Sequence, residues 1–388
     1  MATVFSHPQI CRGKSPAIFR SPPTSKPSCR VLLLTNPNIN LVSSNSSWAV
    51  KSSSSTVEGL TPPNKEEEEE DSLEGLVDFL YEDLPHLFDD QGIDPTMYDD
   101  RVVFRDPITK HDTIAGYLFN IRLLKSLFQP QFHLHSVRQT GPYEITTRWT
   151  MVMKFLLLPW KPELIFTGLS IMGVNPQTQK FCSHTDLWDS IEKNDYFSFE
   201  GFLDVLKQLR IYKTPDLETP KYNILKRRAT YEVRKYEAFV IAETKGDKLS
   251  GSSGFNDVAG YIFGKNSTNE KIPMTTPVFT QVLDDQSEVS IQIVLPVSKQ
   301  LSNLPAPSSE AVRLRKVDGG IVAAIKFSGR PTDELVISKE KELRSALLKD
   351  GLRPKEGCLL ARYNDPGRTQ SFMMRNEVLI WLEEFTLE

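Results

Sequence analysis

The stretch YEVRKYEAFVIAET (231–244) carries the decisive pattern, and the segments GFNDVAGYIFGKN (254–266) and KIPMTTPV (271–278) complete it. In the first, Tyr231, Val233, Lys235, Glu237 and Phe239 share one face, and Glu232, Arg234, Tyr236, Ala238 and Val240 the other. Apolar residues fall on both faces, so the pattern predicts one long strand with core on more than one side. GDKLSGSSG (246–254) cannot continue a strand and reads as a loop. Phe255, Val258, Ala259 and Ile262 then recur at helical spacing, and Gly264 and Asn266 stop that helix. KIPMTTPV is β-branched and bracketed by proline, which suits an edge strand or one entering from a bend.

The remainder of the C-terminal half repeats the pattern. Strand 231–244, helix 255–263 and strands 271–282 and 288–296 form a first unit. Strand 311–328, bent or paired at Gly319 and Gly320, helix 333–349 and strands 358–363 and 377–383 form a second. Two such βαββ units predict one curved antiparallel sheet or distorted barrel with a helix at each side.

Together with IQIVLP (291–296), KFSG (326–329) and RNEVLIWL (375–382), these segments resemble the SOUL/heme-binding protein family from about residue 220 onward. The resemblance implies reversible binding of b-type heme or another porphyrin. It also implies a non-enzymatic carrier or buffer, whose partners would be plastid enzymes of heme synthesis or degradation such as heme oxygenase. For the binding site, Phe255, Val258 and Ile262 are the candidate porphyrin-facing stripe, with Tyr261 beside it. Lys265 and Lys271 would meet propionates, Met274 is a candidate for iron, and Arg375 is a further candidate. Each also has an ordinary structural reading, as core or solvated surface.

The six histidines (His7, His86, His111, His133, His135, His184) all precede this region, so it supplies no axial histidine. Covering ~300 Å² of porphyrin would contribute roughly 7 kcal/mol gross. Association costs take back several kcal/mol, which leaves affinity on the order of micromolar.

Residues 1–57 contain no Asp or Glu, are rich in serine, and carry Arg12, Lys14, Arg20, Lys26, Arg30 and Lys51. That composition predicts a plastid transit peptide, hence a stromal protein. Residues 58–71, with the acidic run 66–71, read as a disordered spacer.

Residues 72–212 open with helices whose apolar stripes are Leu73, Leu76, Val77, Leu80, Leu84 and Ile114, Leu118, Ile121, Leu124, Phe128, on either side of the strand RVVFRDP (101–107). The period then changes to two in QFHLHSVRQ, YEITTRWTMVMKF, ELIFTGLSIMGV and QKFCSHTDLWD. This is an α+β order in which a cone-like curved antiparallel sheet wraps its helices. It resembles the fold of nuclear transport factor two, and more narrowly a plant and cyanobacterial domain of that superfamily. A last helix, 199–211, is expected to turn Phe202, Leu203, Leu206 and Leu209 inward. KTPDLETP (213–220) is the expected linker to the domain 221–388.

A net charge of −4 gives no reason to expect nucleic acid as partner. The longest apolar run, FLLLPW (155–160), is far shorter than a membrane span. Cys11, Cys29, Cys182 and Cys358 form neither a disulfide framework nor a zinc spacing. In the N-terminal domain, His133 and His135 are a candidate metal pair, with His111, Asp106 or His184 as remote third ligands. Asp106 and His184 are a candidate acid–base pair in an enclosed pocket. Two readings therefore stand beside the carrier: an enzyme with its site in the cone, and an interaction scaffold.

Overall fold

The computed structural model describes residues 65–246, 254–282 and 289–387. The expected transit segment, residues 58–64 of the expected spacer, and most of the loop 246–254 lie outside the described residues. Among the described residues the strands form two sheets, one of six and one of nine.

The first sheet is built on the meander that the period-two segments predict. Helix α1 (Lys65–Asp83), strands β1 (Tyr98–Arg105) and β2 (Lys110–His111), and helix α2 (Ile114–Leu127) precede it. The meander is β3 (Phe128–Gly141), β4 (Glu144–Phe155), β5 (Glu163–Asn175) and β6 (Lys180–Trp188). The strand order is β2-β1-β6-β5-β4-β3, with β1 parallel to β6 and every other pair antiparallel. Leu73, Leu76 and Leu80 of α1 and Tyr117 and Ile121 of α2 pack with Tyr98, Val102, Phe104 and Met172 in one core, so the sheet wraps its helices. The acidic run 66–71 is not a spacer before α1. It lies in the first turns of that helix, where carboxylates favour the positive end of the helix dipole.

Helix α3 (Phe199–Gln208) is rotated from the expected orientation. Gly201 and Asp204 are buried and Val205 and Leu209 pack on the sheet, while Phe199, Phe202 and Leu206 are 73%, 53% and 46% exposed. The physical reason is Asp204. Its carboxylate accepts from Ser190 Oγ at 3.0 Å and from both terminal nitrogens of Arg227, which fixes which face turns inward.

The second sheet runs through β7 (Tyr222–Arg227), β8 (Glu232–Tyr236), β9 (Phe239–Gly246), β10 (Val278–Val282), β11 (Val289–Val294), β12 (Arg313–Val317), β13 (Gly320–Phe327), β14 (Cys358–Arg362) and β15 (Asn376–Trp381). Its order is β12-β9-β11-β10-β14-β15-β13-β8-β7, antiparallel throughout. The expected duplication is explicit here. β9-β11-β10 mirrors β13-β15-β14 about the central β10–β14 pair, and each half lays one helix, α4 (Phe255–Ile262) or α5 (Asp333–Lys349), on the sheet.

The symmetry also explains a correction: segment 231–244 is two strands rather than one. The strand leading into each half pairs with the other half, β8 on β13 and β12 on β9. The chain must therefore bend at Glu237–Ala238 and again at Asp318–Gly319 to carry the sheet round. At this crossing a Cβ on Gly319 would lie 2.6 Å from the Tyr236 carbonyl oxygen, so only glycine lets the two bends touch. KIPMTTPV also differs from expectation, because its ladder begins only at Val278, after an isolated bridge between Glu218 and Thr275. Proline at 273 and 277 withholds the amide donors a ladder needs.

The expected linker is tied down. Lys213 N donates to Met373 O, Thr276 N to Glu218 O, and Val297 N to the Glu218 carboxylate. β7 then lies against the first sheet, where Thr150 Oγ1 donates to Ile224 O and Arg227 N to Thr167 Oγ1. The described residues fall in one compact unit.

Candidate functional site

The helix proposed to face a porphyrin is packed shut. Val258, Tyr261 and Ile262 are at most 1% exposed and lie against Ala242, Ile291, Ile293, Leu295 and Val312. Tyr261 donates its hydroxyl to Pro305 O at 3.0 Å, and burial pushes its pKa up to about 12. Phe255 is half-buried on the margin of this core, while Lys265, Lys271 and Met274 are exposed. The Val258–Ile262 stripe is thus the glue between α4 and the sheet, and a ligand reaches it only by lifting the helix. Of the eight candidates, only Arg375 lines the main cleft of this half.

That cavity is an open cleft of about 1600 Å³ between the two sheets, floored by the pinned segment 210–223. Eleven lysines and arginines line it against four glutamates, and three of those cations, Arg227, Arg228 and Arg375, pair with Asp204, Asp350 and Glu377 behind the wall. Trp160, Tyr212, Tyr222, Tyr231, Tyr236 and Tyr363 provide aromatic surface. A second, more apolar groove of about 680 Å³ is lined by Phe239, Leu295, Val297 and Leu301, with Lys316 among its cations. It shares Lys221 and Glu237 with the first.

At its second-sheet end the cleft rests on a buried ionic cluster, and the order of the strands makes it. β8, β13 and β15 are neighbours: Lys326 stands opposite Glu377, and Arg234, opposite Val322 in the ladder, reaches Glu377 with its long side chain. Glu377 is fully buried and accepts from Arg234 Nη1 at 2.7 Å and Nη2 at 3.0 Å, from Arg375 Nη2 at 2.8 Å, and from Tyr363 Oη at 2.9 Å. Burial alone would raise its pKa, but the two guanidiniums outweigh burial and hold the carboxyl well below the usual range. Glu232 Oε2 accepts from Arg234 Nε at 2.9 Å. The guanidiniums also lie over rings, Arg234 over Tyr222 at 4.6 Å and Arg375 over Tyr363 at 4.1 Å. Lys326 is the fifth charge, and burial pulls its ammonium below the ordinary value although Glu232 opposes this.

In the first sheet a polar chain crosses the interior. Trp149 Nε1 donates to Ser170 Oγ at 2.8 Å, Ser170 Oγ to Asp186 Oδ1 at 2.6 Å, and His184 Nε2 contacts the same oxygen at 3.0 Å. The other ring nitrogen of His184 has no partner, and the ring stands edge-on to Phe104 and Tyr117. Asp106 does not pair with it. Its carboxylate instead accepts from Ile108 N, Thr109 N and Thr109 Oγ1, organising the turn after β1. His133 and His135 do not form a metal pair: the ladder is irregular between Leu134 and Ser136, His133 is exposed, and His135 contacts Thr150 Oγ1 at 2.9 Å. Among the described residues no group of three or more His, Cys, Asp or Glu is placed to hold a metal, and no helix is long and apolar enough to cross a membrane.

Residues 217–381 match the family model of the SOUL heme-binding protein. The C-terminal domain is a SOUL domain. N-terminal to the SOUL domain, residues 74–184 match the model of an uncharacterized conserved protein, DUF2358. No curated protein matches the chain. Among solved structures, a hydrolase from Listeria innocua is similar at 10% identity and TM-score 0.31, over 40% of this chain and 92% of that one. An NTF2-like protein of unknown function from Exiguobacterium sp. 255-15 is similar at 17% identity and TM-score 0.24, over 31% and 99%. A putative SnoaL-like polyketide cyclase from Shewanella denitrificans is similar at 18% identity and TM-score 0.26, over 36% and 96%.

Neither Lys326 nor Glu377 stood out in the sequence beside the SOUL segments. The available signal was a charge inside an otherwise apolar strand, in IVAAIKF (321–327) and NEVLIW (376–381). Such a charge is almost never buried unless paired.

Proposed function

We propose that the protein binds heme or a related tetrapyrrole reversibly and without chemical turnover, as a carrier or buffer in the plastid stroma. The observation that carries this reading is the cleft against the SOUL domain: aromatic walls suit a flat macrocycle and a surplus of cations suits its propionates. These residues fit a porphyrin as they stand, whereas the α4 stripe fits one only after displacement. The SOUL domain has no histidine, and the tyrosines Tyr261 and Tyr363 already spend their hydroxyls on Pro305 O and Glu377. Binding therefore rests on the macrocycle and its carboxylates more than on iron. Enzymes that make or degrade heme, heme oxygenase among them, are the partners such a carrier would serve.

An absorbance titration of the full chain with heme and with iron-free protoporphyrin tests the reading. Both are expected to bind within about tenfold of each other, a gap of ~1.4 kcal/mol. Heme binding without protoporphyrin binding would mean that iron ligation dominates, and binding of neither would end the proposal.

One observation favours a second reading, an enzyme with its site inside the first sheet: the chain from Trp149 to His184 ends on a ring nitrogen with no partner. Turnover of a small apolar substrate, lost in His184→Gln with an unchanged melting temperature, would support it. Equal turnover in that variant would exclude it.

A further inference from the structure

The charges at the second-sheet end of the cleft do not cancel. Arg234, Arg375 and Lys326 face only Glu232 and Glu377. Glu377 gives both oxygens to the two guanidiniums, and Glu232 gives Oε2 to Arg234 at 2.7 Å. What remains for Lys326 is Glu232 Oε1 at 3.9 Å, the outer limit of an ion pair, and the face of Tyr212 at 5.7 Å from its centroid. Its side chain is 29% exposed, and that exposure is to the cleft. An ammonium so poorly paired in a half-buried place costs free energy until an anion joins it.

The residues around it belong to both halves of the chain. Tyr212 and Arg210 follow α3 of the first half. Arg210 lies 5.8 Å from the Tyr212 ring centroid and donates Nη2 to Ser328 Oγ at 2.7 Å, just past the end of β13 and two residues beyond Lys326. Tyr222 and Tyr236, 4.9 Å apart, form an aromatic wall on the same cleft.

We propose that Lys326, with Arg210 at the same Tyr212 ring, receives a carboxylate of a planar ligand whose body lies against Tyr212 and Tyr222, so that the N-terminal domain forms one side of the binding site. This rests on the tetrapyrrole reading and deepens it: recognition is of an acid-bearing macrocycle, and the site is incomplete without both domains. The same cation chemistry would also suit inorganic phosphate, which the test includes.

The test titrates the full chain with protoporphyrin and with its dimethyl ester, which keeps the macrocycle and removes both charges. The diacid is expected to bind at least about tenfold more tightly than the ester, a ratio worth ~1.4 kcal/mol. In Lys326→Met, which keeps the side-chain volume and removes the charge, the two should converge to about twofold. Tyr212→Leu should weaken both ligands, and circular dichroism melts establish that the variants are folded. Should Lys326→Met fail to fold, the diacid-to-ester ratio on the unaltered protein still decides. Equal affinity for acid and ester would overturn the carboxylate subsite while leaving the tetrapyrrole reading standing. Binding of neither would remove that reading and the subsite with it. Convergence in Lys265→Met but not in Lys326→Met would place the carboxylate beside α4 and overturn the assignment. Displacement of the diacid by millimolar inorganic phosphate would make the subsite a general anion site and overturn its assignment to a planar acid.

Discussion

Arg227 of β7 and Asp204 of α3 meet in a two-pronged ion pair, Nη1 to Oδ2 at 2.8 Å and Nη2 to Oδ1 at 2.9 Å, and both side chains are buried. One belongs to each half of the chain. Removing either partner leaves the other buried without compensation, at a cost of about 3–5 kcal/mol. Arg227→Met and Asp204→Asn should each lower the melting temperature by several degrees in a calorimetric scan. The double variant Asp204→Leu, Arg227→Met should recover most of the loss, and additive losses would contradict the pairing.

Glu377 gives the SOUL domain an acid-sensitive hub. Its folded pKa lies well below the usual carboxylate range, and that of Glu232 is also lowered, against burial, chiefly by Arg234. A lowered folded value contributes stability that is full above the unfolded value of about 4.3 and is lost as pH falls through the folded one. Urea midpoints should therefore hold from neutrality down to about pH 5 and then drop. Glu377→Gln should be destabilised by about 3–5 kcal/mol at neutral pH and should lose much of that acid slope. An unchanged acid slope would show that other groups carry it.

His135 is expected to resist protonation. Burial first, then Arg148, lowers its value to about 4. Because the folded value is depressed, its share of stability is present above about pH 6.5 and is lost as pH falls towards 4. Its ring resonances in an NMR titration should move only near the acid end, and a midpoint near 6.5 would contradict the packing around Thr150.

Ile262→Asp separates the two views of α4. A carboxylate forced among Ala242, Ile291 and Leu295 should cost about 3 kcal/mol or more and broaden the unfolding transition, whatever the ligand. A variant of native stability that binds porphyrin more weakly would return the binding surface to α4.

The plastid assignment has a direct check. Residues 1–60, fused to a fluorescent reporter, should carry it into chloroplasts, as expected from their acid-free, serine-rich composition. A reporter that stays in the cytosol would remove the stromal part of the proposal.

Much of the fold was legible because it follows from short-range periods. The meander from β3 to β6, helix α5 and the doubled βαββ unit all announce themselves in alternation or helical spacing. What escaped depends on partners far along the chain. The orientation of α3 follows from an arginine 23 residues later. The bend between β8 and β9 follows from a crossing with Gly319. The α4 stripe was legible as apolar but not as closed, since core and pocket wall share one spacing. The cleft draws on residues from Lys154 to Arg375, and no local pattern spans that distance.

β7 ends the order of the second sheet, so one of its sides offers unpaired backbone groups. Thr150 reaches across to the Ile224 carbonyl, and Thr167 receives the Arg227 amide. The N-terminal domain therefore acts as a built-in guard against intermolecular strand pairing. Cutting the chain near Lys213 would do more than remove a neighbour: it would uncover a template on which SOUL domains from separate molecules could join strand to strand, in the manner of exposed sheet margins generally.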